Sequence, residues 1–240
     1  MKKGVYLLPN GLTLCGMFLG FYSVLASFKG DYTVAAWSII GAGVFDGLDG
    51  WVARLTNTTS RFGIQLDSLS DLVAFGVAPS VLFFSWTLKD FGRLGWAAAF
   101  LIIACGALRL ARFNVQMDTA ESKSFTGMPI PSAAGILAAT VLFHSDVFQS
   151  VPGRNILYLL LAFGLAFLMV STIRYHSAKE VNLRQRKPFW ILVVFVGIFA
   201  LILINPPVVL FLMGMLYMVS GVVEYFYLRG RKRKTGASAA

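Results

Sequence analysis

FDGLDGWVARLTNTTSRFGIQLDSLSDLVAFG, residues 45–76, sets four aspartates into otherwise apolar surroundings. Asp46 and Asp49 are spaced i,i+3, whereas Asp67 and Asp71 are spaced i,i+4. On an α-helix either spacing puts both carboxylates on one face. Between the pairs, Arg54 and Arg61 flank a short polar link. The stretch therefore reads as two antiparallel helices, the second starting near residue 66, with all four acids close to one end of the pair.

The chain on either side makes these helices membrane spans. Of its 240 residues 57% are hydrophobic and only 13% are charged, with a mean hydropathy of +0.72. An ordinary soluble domain carries about a quarter charged residues. A soluble core of this size cannot hide so much apolar surface, but a bilayer accepts it directly. Runs that meet or approach the roughly 20 residues of a spanning helix lie at 10–28, 33–54, 66–87, 94–113, 131–148, 155–175, 188–204 and 207–228. Asn205-Pro206-Pro207 separates the last two, because consecutive prolines cannot continue a helix. The fold class is all-α, a polytopic membrane bundle of about eight helices, and residues 1–240 read as one domain with no internal repeat. The first run has no Ala-x-Ala pattern after it and reads as a retained helix, not a removed signal peptide.

Charge orients the spans. With both termini cytoplasmic, only Lys29, Lys89, Arg93 and Arg154 of the 21 basic residues fall outside. That asymmetry is the positive-inside pattern, and it puts the aspartate end of the bundle at the cytoplasmic side of the cell membrane. The net charge of +10 is thus a topology and membrane-surface signal, with no separate basic domain to hold nucleic acid. The basic tail Arg229–Lys234 suits anionic headgroups.

A carboxylate at the centre of a spanning helix costs roughly 2.5–3.5 kcal/mol on insertion scales. Four close together repel one another unless cations cancel their charge. One neighbouring arginine cannot do so, whereas two divalent ions can, and hard oxygen donors suit Mg²⁺ or Mn²⁺. Structural pairing with Arg54, or a water-filled vestibule, is the bland alternative. An ion-coupled transporter is the rival of another class, but transporters place such groups near the midplane, on broken helices within repeats. Here the acids gather at one face. Gly50 and Gly63 beside them let a backbone or a bulky phosphate come close.

Asp46, Asp49, Gly50, Ala53, Arg54, Gly63, Asp67 and Asp71 match without a gap the pattern D-x2-D-G-x2-A-R-x8-G-x3-D-x3-D. In this the chain resembles the CDP-alcohol phosphotransferase family, which moves a phosphatidyl-type group from a CDP-linked lipid to a hydroxyl acceptor and releases CMP. PNGLT at 9–13, ALRLARFN with Arg109, Arg112 and Asn114, and FTGMPIPSAAG at 125–135 look like the family's L-serine-using branch. The resemblance covers about residues 9–135 and implies a phospholipid-synthesising transferase, most simply a homodimer. It implies that Asp46 and Asp67 bridge two metal ions, that Asp49 and Asp71 complete one site each, and that Asp71 is also the general base. It further implies that Arg54, Ser60 and the Gly50 backbone hold the cytidine phosphates, with Asn10 and Thr13 near the nucleotide. Asn10 serves equally well as a cap of the first helix. Arg109 and Arg112, with Asn114 close by, read either as interfacial snorkelling residues or as a bidentate grip on the acceptor's carboxylate. The alternative acceptor is a phosphorylated polyol, glycerol 3-phosphate or inositol phosphate.

Cys15 and Cys105 sit far apart in apolar runs and read as small buried residues, with no disulfide or zinc site. His144 and His176 fall near opposite membrane faces, and neither is assigned chemistry.

Overall fold

The computed structural model describes residues 7–56, 60–118, 127–173, 193, 196–197 and 200–237. All regular structure among them is helical. Helix α1 runs Leu7–Lys29, α2 Tyr32–Thr56 and α3 Arg61–Asp71. A π-helical segment, Leu72–Val77, joins α3 without a break to α4, Ala78–Trp86. After a short 3₁₀ turn come α5, Arg93–Asp118, α6, Ile130–Phe148, α7, Ile156–Val170, and α8, Pro206–Ala237. Five stretches are long and apolar enough to cross a bilayer: α1, the α3–α4 unit, α5, α6 and the first 20 residues of α8. Helix α2 is as long, and its aspartates lower its hydropathy. The protein is a polytopic helical membrane protein, and the expected seventh run, 188–204, lies largely outside the described residues.

Several boundaries differ from the sequence reading, as where α5 runs on to Asp118 and α8 to Ala237, and two have a visible local cause. The third span begins at Arg61 and not near 66, because Ser60 caps it: the Gly63 N–H donates to Ser60 Oγ at 3.0 Å. The polar Arg61 and Gln65 hide this extra turn from a hydropathy reading. Helix α7 ends at Val170 and not 175. Ser171 turns extended, and its hydroxyl donates to the Leu168 carbonyl at 2.8 Å. The end of α7 and the chain that follows receive the start of α6, since the Gly127 N–H donates to the Ile173 carbonyl at 2.8 Å and that of Met128 to the Leu168 carbonyl at 3.0 Å. Gly127, at φ +86°, is the residue that can make this corner.

Helices α1 and α2 form a tight antiparallel hairpin. Gly30, at φ +86°, closes α1, with its N–H on the Ser27 carbonyl and that of Asp31 on the Ala26 carbonyl. Small residues fill the centre of the bundle where these helices meet: Ala35, Ala36, Ala42, Ala74 and Ala78 are all buried. Such residues let backbones approach where lipid supplies no hydrophobic drive between helices. Large side chains such as Phe18, Trp96, Phe100 and Phe167 stay 62–73% exposed, the surface that faces acyl chains. At the end remote from the aspartates, Phe83, Trp86, His144 and Tyr158 pack ring against ring, with His144 Nδ1 2.8 Å from the Tyr158 hydroxyl. His144 thus helps lock α6 to α4 and α7.

The π segment has a local cause. Pro79 lacks an N–H, and in a regular helix its ring would collide with the Phe75 carbonyl. The widened turn, in which the Ala78 N–H reaches back to the Val73 carbonyl, accommodates it without ending the span. Helix α1 packs closely on the third span here: a Cβ on Gly20 would stand 2.6 Å from Ala74 Cα. Gly20→Ala is therefore expected to destabilise the bundle by about 1–3 kcal/mol, the usual cost of overpacking. Gly164→Ala, where nothing lies within 4 Å, should be neutral or mildly stabilising. Thermal unfolding in detergent compares them, and an unchanged melting temperature for Gly20→Ala would refute the close approach.

Candidate active site

The hairpin and the third span bring the aspartates together. Asp46, Asp49 and Asp67 each offer a carboxylate oxygen, and these atoms lie within 4.8 Å of one another. Asp71, one turn beyond Asp67, lines the same small recess beside them. Asp67 is repelled by both Asp46 and Asp49, and Asp71 by all three of the others. The spread of the three oxygens is close to twice the about 2.1 Å metal–oxygen bond of Mg²⁺, so one ion fits among them with slight rotation. All the donors are hard oxygens, which suits a divalent ion of this class. The aspartate cluster is a fitting metal site.

Thr13 holds the cluster from α1. Its hydroxyl is 2.8 Å from Asp49 Oδ2, and Asp49 is only 6% exposed. The Thr13 carbonyl in turn accepts from the Ser70 hydroxyl at 3.0 Å, which ties α1 to α3 directly beneath the acids. Thr13 thus orients the Asp49 carboxylate, a contact the sequence reading did not expect of it.

A cavity of about 270 Å³ opens beside the recess. Asn10, Thr13, Gly50, Arg54, Ser60 and Asn114 line it, together with Asp49, Asp67 and Asp71. Its walls come from the start of α1, the end of α2, the start of α3 and the end of α5, so alternating spans deliver them to one side of the bundle. Asn10 lies inside α1 and does not cap it, since the helix already runs from Leu7. Arg54 is exposed and folds back over Gly50, its Nη1 3.5 Å from where a Cβ on Gly50 would sit. A Cβ on Gly63 would meet Ser60 Oγ at 3.2 Å and Asn10 Oδ1 at 3.4 Å, so the glycine keeps this wall open.

The two arginines of α5 part company. Arg109 interacts electrostatically with Asp71. Arg112 is exposed, and its Nη1 is 3.5 Å from the Val170 carbonyl at the end of α7. Neither lines the cavity, which receives Leu110, Phe113 and Asn114 from that helix. Ser68 escaped the sequence reading: the Asn114 amide donates to its hydroxyl at 3.0 Å, joining α5 to the turn between Asp67 and Asp71. A small polar residue between two acids was the available signal. Cys15 and Cys105 are both free thiols, Cys15 exposed and not buried because its face of α1 points outward. His176 and the side chains of the basic tail lie outside what the structure describes.

Comparison with known proteins agrees with this geometry. The family model described as CDP-alcohol phosphatidyltransferase matches residues 6–170, which takes in every aspartate and ends with α7. A CDP-diacylglycerol–serine O-phosphatidyltransferase of Helicobacter pylori is 38% identical over 224 residues, 93% of each chain. One of Methanocaldococcus jannaschii is 32% identical over 228 residues, 93% of this chain and 96% of its own. An archaetidylserine synthase of Methanothermobacter thermautotrophicus is 38% identical over 172 residues, 70% of this chain and 69% of its own.

Proposed function

The chain belongs to the CDP-alcohol phosphatidyltransferase family, and from that premise we propose that it is a transferase of phospholipid synthesis, carrying the phosphatidyl group of CDP-diacylglycerol, or a similar CDP-lipid, to L-serine. The products are phosphatidylserine and CMP. The convergence of Asp46, Asp49, Asp67 and Asp71 on one recess beside an open cavity is the observation that carries this reading.

Each residue has a task. Asp46, Asp49, Asp67 and Asp71 would hold two divalent ions, Mg²⁺ or Mn²⁺, with Asp46 and Asp67 as the shared ligands and Asp49 and Asp71 each completing one site. Such ions, when bound, screen the diphosphate and the charge that develops on the leaving group. Arg54, Ser60 and the Gly50 backbone hold the cytidine phosphates in the cavity, with Asn10 and Thr13 at the nucleotide. Asp71 accepts the proton of the serine hydroxyl as its oxygen attacks the phosphorus that bears the lipid. The bond from that phosphorus to the CMP oxygen breaks, and CMP leaves with the electron pair. The distribution of basic residues supports an active site on the cytoplasmic side of the cell membrane, and a homodimer belongs to the same proposal.

The test is purified protein in detergent with CDP-diacylglycerol, Mg²⁺ or Mn²⁺, and a panel of alcohols, with CMP release as the readout. Serine is expected to give the fastest release. Glycerol 3-phosphate or inositol phosphate outpacing serine would overturn the acceptor while leaving the family chemistry in place. No CMP release with any acceptor would revive the transporter.

A further inference from the structure

Helix α8 lies beyond the stretch that the family model matches, yet its Tyr217 interacts with Arg109, which in turn interacts with Asp71. Arg109 of α5 is largely enclosed, and its Nε–H meets no acceptor among the described residues. A buried charged donor left without a partner costs more than the about 1–3 kcal/mol of a neutral one. In a folded protein such a group calls for an explanation, and a ligand that supplies the missing acceptor is one. Arg109 interacts electrostatically with Asp71 and with Tyr217 of α8. Ser132 of α6 interacts with the Tyr217 hydroxyl.

The packing that makes this meeting possible is specific. Gly106 stands one turn before Arg109, and a Cβ there would lie 2.6 Å from Ile130 Cδ1. Gly214 stands one turn before Tyr217, and a Cβ there would lie 2.8 Å from Ile136 Cγ1. Helix α6 therefore presses one isoleucine into a glycine notch of α5 and another into a notch of α8, with Ser132 between them. The two notches draw three helices together at the level where Tyr217 meets both Arg109 and Ser132. Purely apolar packing at that level would need neither hydroxyl.

We infer that Arg109, Tyr217 and Ser132 form the acceptor side of the active site, in which Tyr217 and Ser132 hold the guanidinium in position to receive the carboxylate of an amino-acid acceptor. The inference rests on the serine reading above. A guanidinium presents paired donors that match a carboxylate, and Nε–H is one of them. Serine carries its carboxyl carbon and its hydroxymethyl carbon on the same Cα. A carboxylate held at Arg109 therefore leaves the hydroxyl close to Asp71, the proton acceptor that Arg109 already faces. Tyr217 and Ser132 act through Arg109 and are positioning residues.

Saturation curves for serine and for CDP-diacylglycerol, measured on Tyr217→Phe, Ser132→Ala and Arg109→Lys, test this. Tyr217→Phe removes one oxygen and keeps the ring. It should raise the KM for serine about five- to tenfold, the size expected from losing a hydrogen bond that orients a charged group. The KM for the CDP-lipid, kcat at saturating serine and the melting temperature should stay within about twofold or a few degrees of wild type. Ser132→Ala should act in the same direction, and Arg109→Lys more strongly. Tyr217→Phe added to Arg109→Lys should cost little more, because the two act as a unit. An unchanged serine KM in Tyr217→Phe and Ser132→Ala, with wild type turning over serine, overturns this inference alone. Both KM values and the melting temperature moving together would make Tyr217 a packing residue, and that too overturns it. Wild-type protein that turns over glycerol 3-phosphate but not serine overturns the inference together with the reading on which it rests.

Discussion

Asp67→Asn is expected to abolish CMP release, by more than the 10–100-fold that losing a partner outside the ligand shell typically costs. The amide matches the carboxylate in shape but supplies one neutral oxygen where a charged, shared ligand is needed. Asp67 stands within 4.8 Å of both Asp46 and Asp49 and is repelled by both, so the change also relieves crowding. In the presence of a chelator the variant should therefore melt at the wild-type temperature or above it. This pairing of lost turnover with kept or improved stability separates a ligand from a structural acid, whose loss would lower both. If the variant keeps a substantial fraction of wild-type activity at saturating metal, the shared-ligand role is wrong.

Exhaustive chelation with EDTA should silence the protein, and Mg²⁺ or Mn²⁺ should restore it in full. Four carboxylates that repel one another cannot by themselves hold an anionic diphosphate. The same experiment has a readout that needs no substrate. An ion that binds the folded protein and not the unfolded chain raises the melting temperature with its concentration. That rise should be clear in wild type and much smaller in Asp67→Asn. Full turnover after chelation, or melting that ignores the metal in wild type, would sink the metal scheme and leave the cluster as a solvated vestibule.

Periodicity and charge carried the sequence reading a long way, because both are local. The acids of 45–76 declare two facing helices by their spacing alone, and hydropathy finds the spans without help from tertiary contacts. What stayed hidden depends on contacts between distant segments. Nothing near Arg109 and Arg112 says that one turns inward to Asp71 while the other reaches the end of α7. Their three-residue spacing would allow a shared face, and the packing of α7 against α5 separates their partners. Tyr217 sits in a helix that no motif marks, and its link to Ser132 joins segments far apart in the sequence. The early start of α3 was masked differently. Hydropathy discounts a helical turn that is polar, although the Ser60 cap, followed three residues later by the N–H it serves, was there to be read.

The π segment at Leu72–Val77 also decides how this protein can vary. Each residue of an α-helix advances the chain by about 100°, so an unbroken 26-residue span would couple the angular setting of its two ends rigidly. The inner half must aim Asp67 and Asp71 at α2, whereas the outer half must aim Phe83 and Trp86 at α6 and α7. One additional residue, absorbed in a wide turn, lets the two halves keep separate phases. Gly20 pressed on Ala74 is the bearing on which they are mounted. Substitutions in the outer half can then accumulate, as a membrane of different thickness demands, without rotating the carboxylates out of register. A single deletion elsewhere in the span, with no wide turn to absorb it, would do the opposite, swinging the acids by about a quarter of a revolution while leaving every one of them in the sequence.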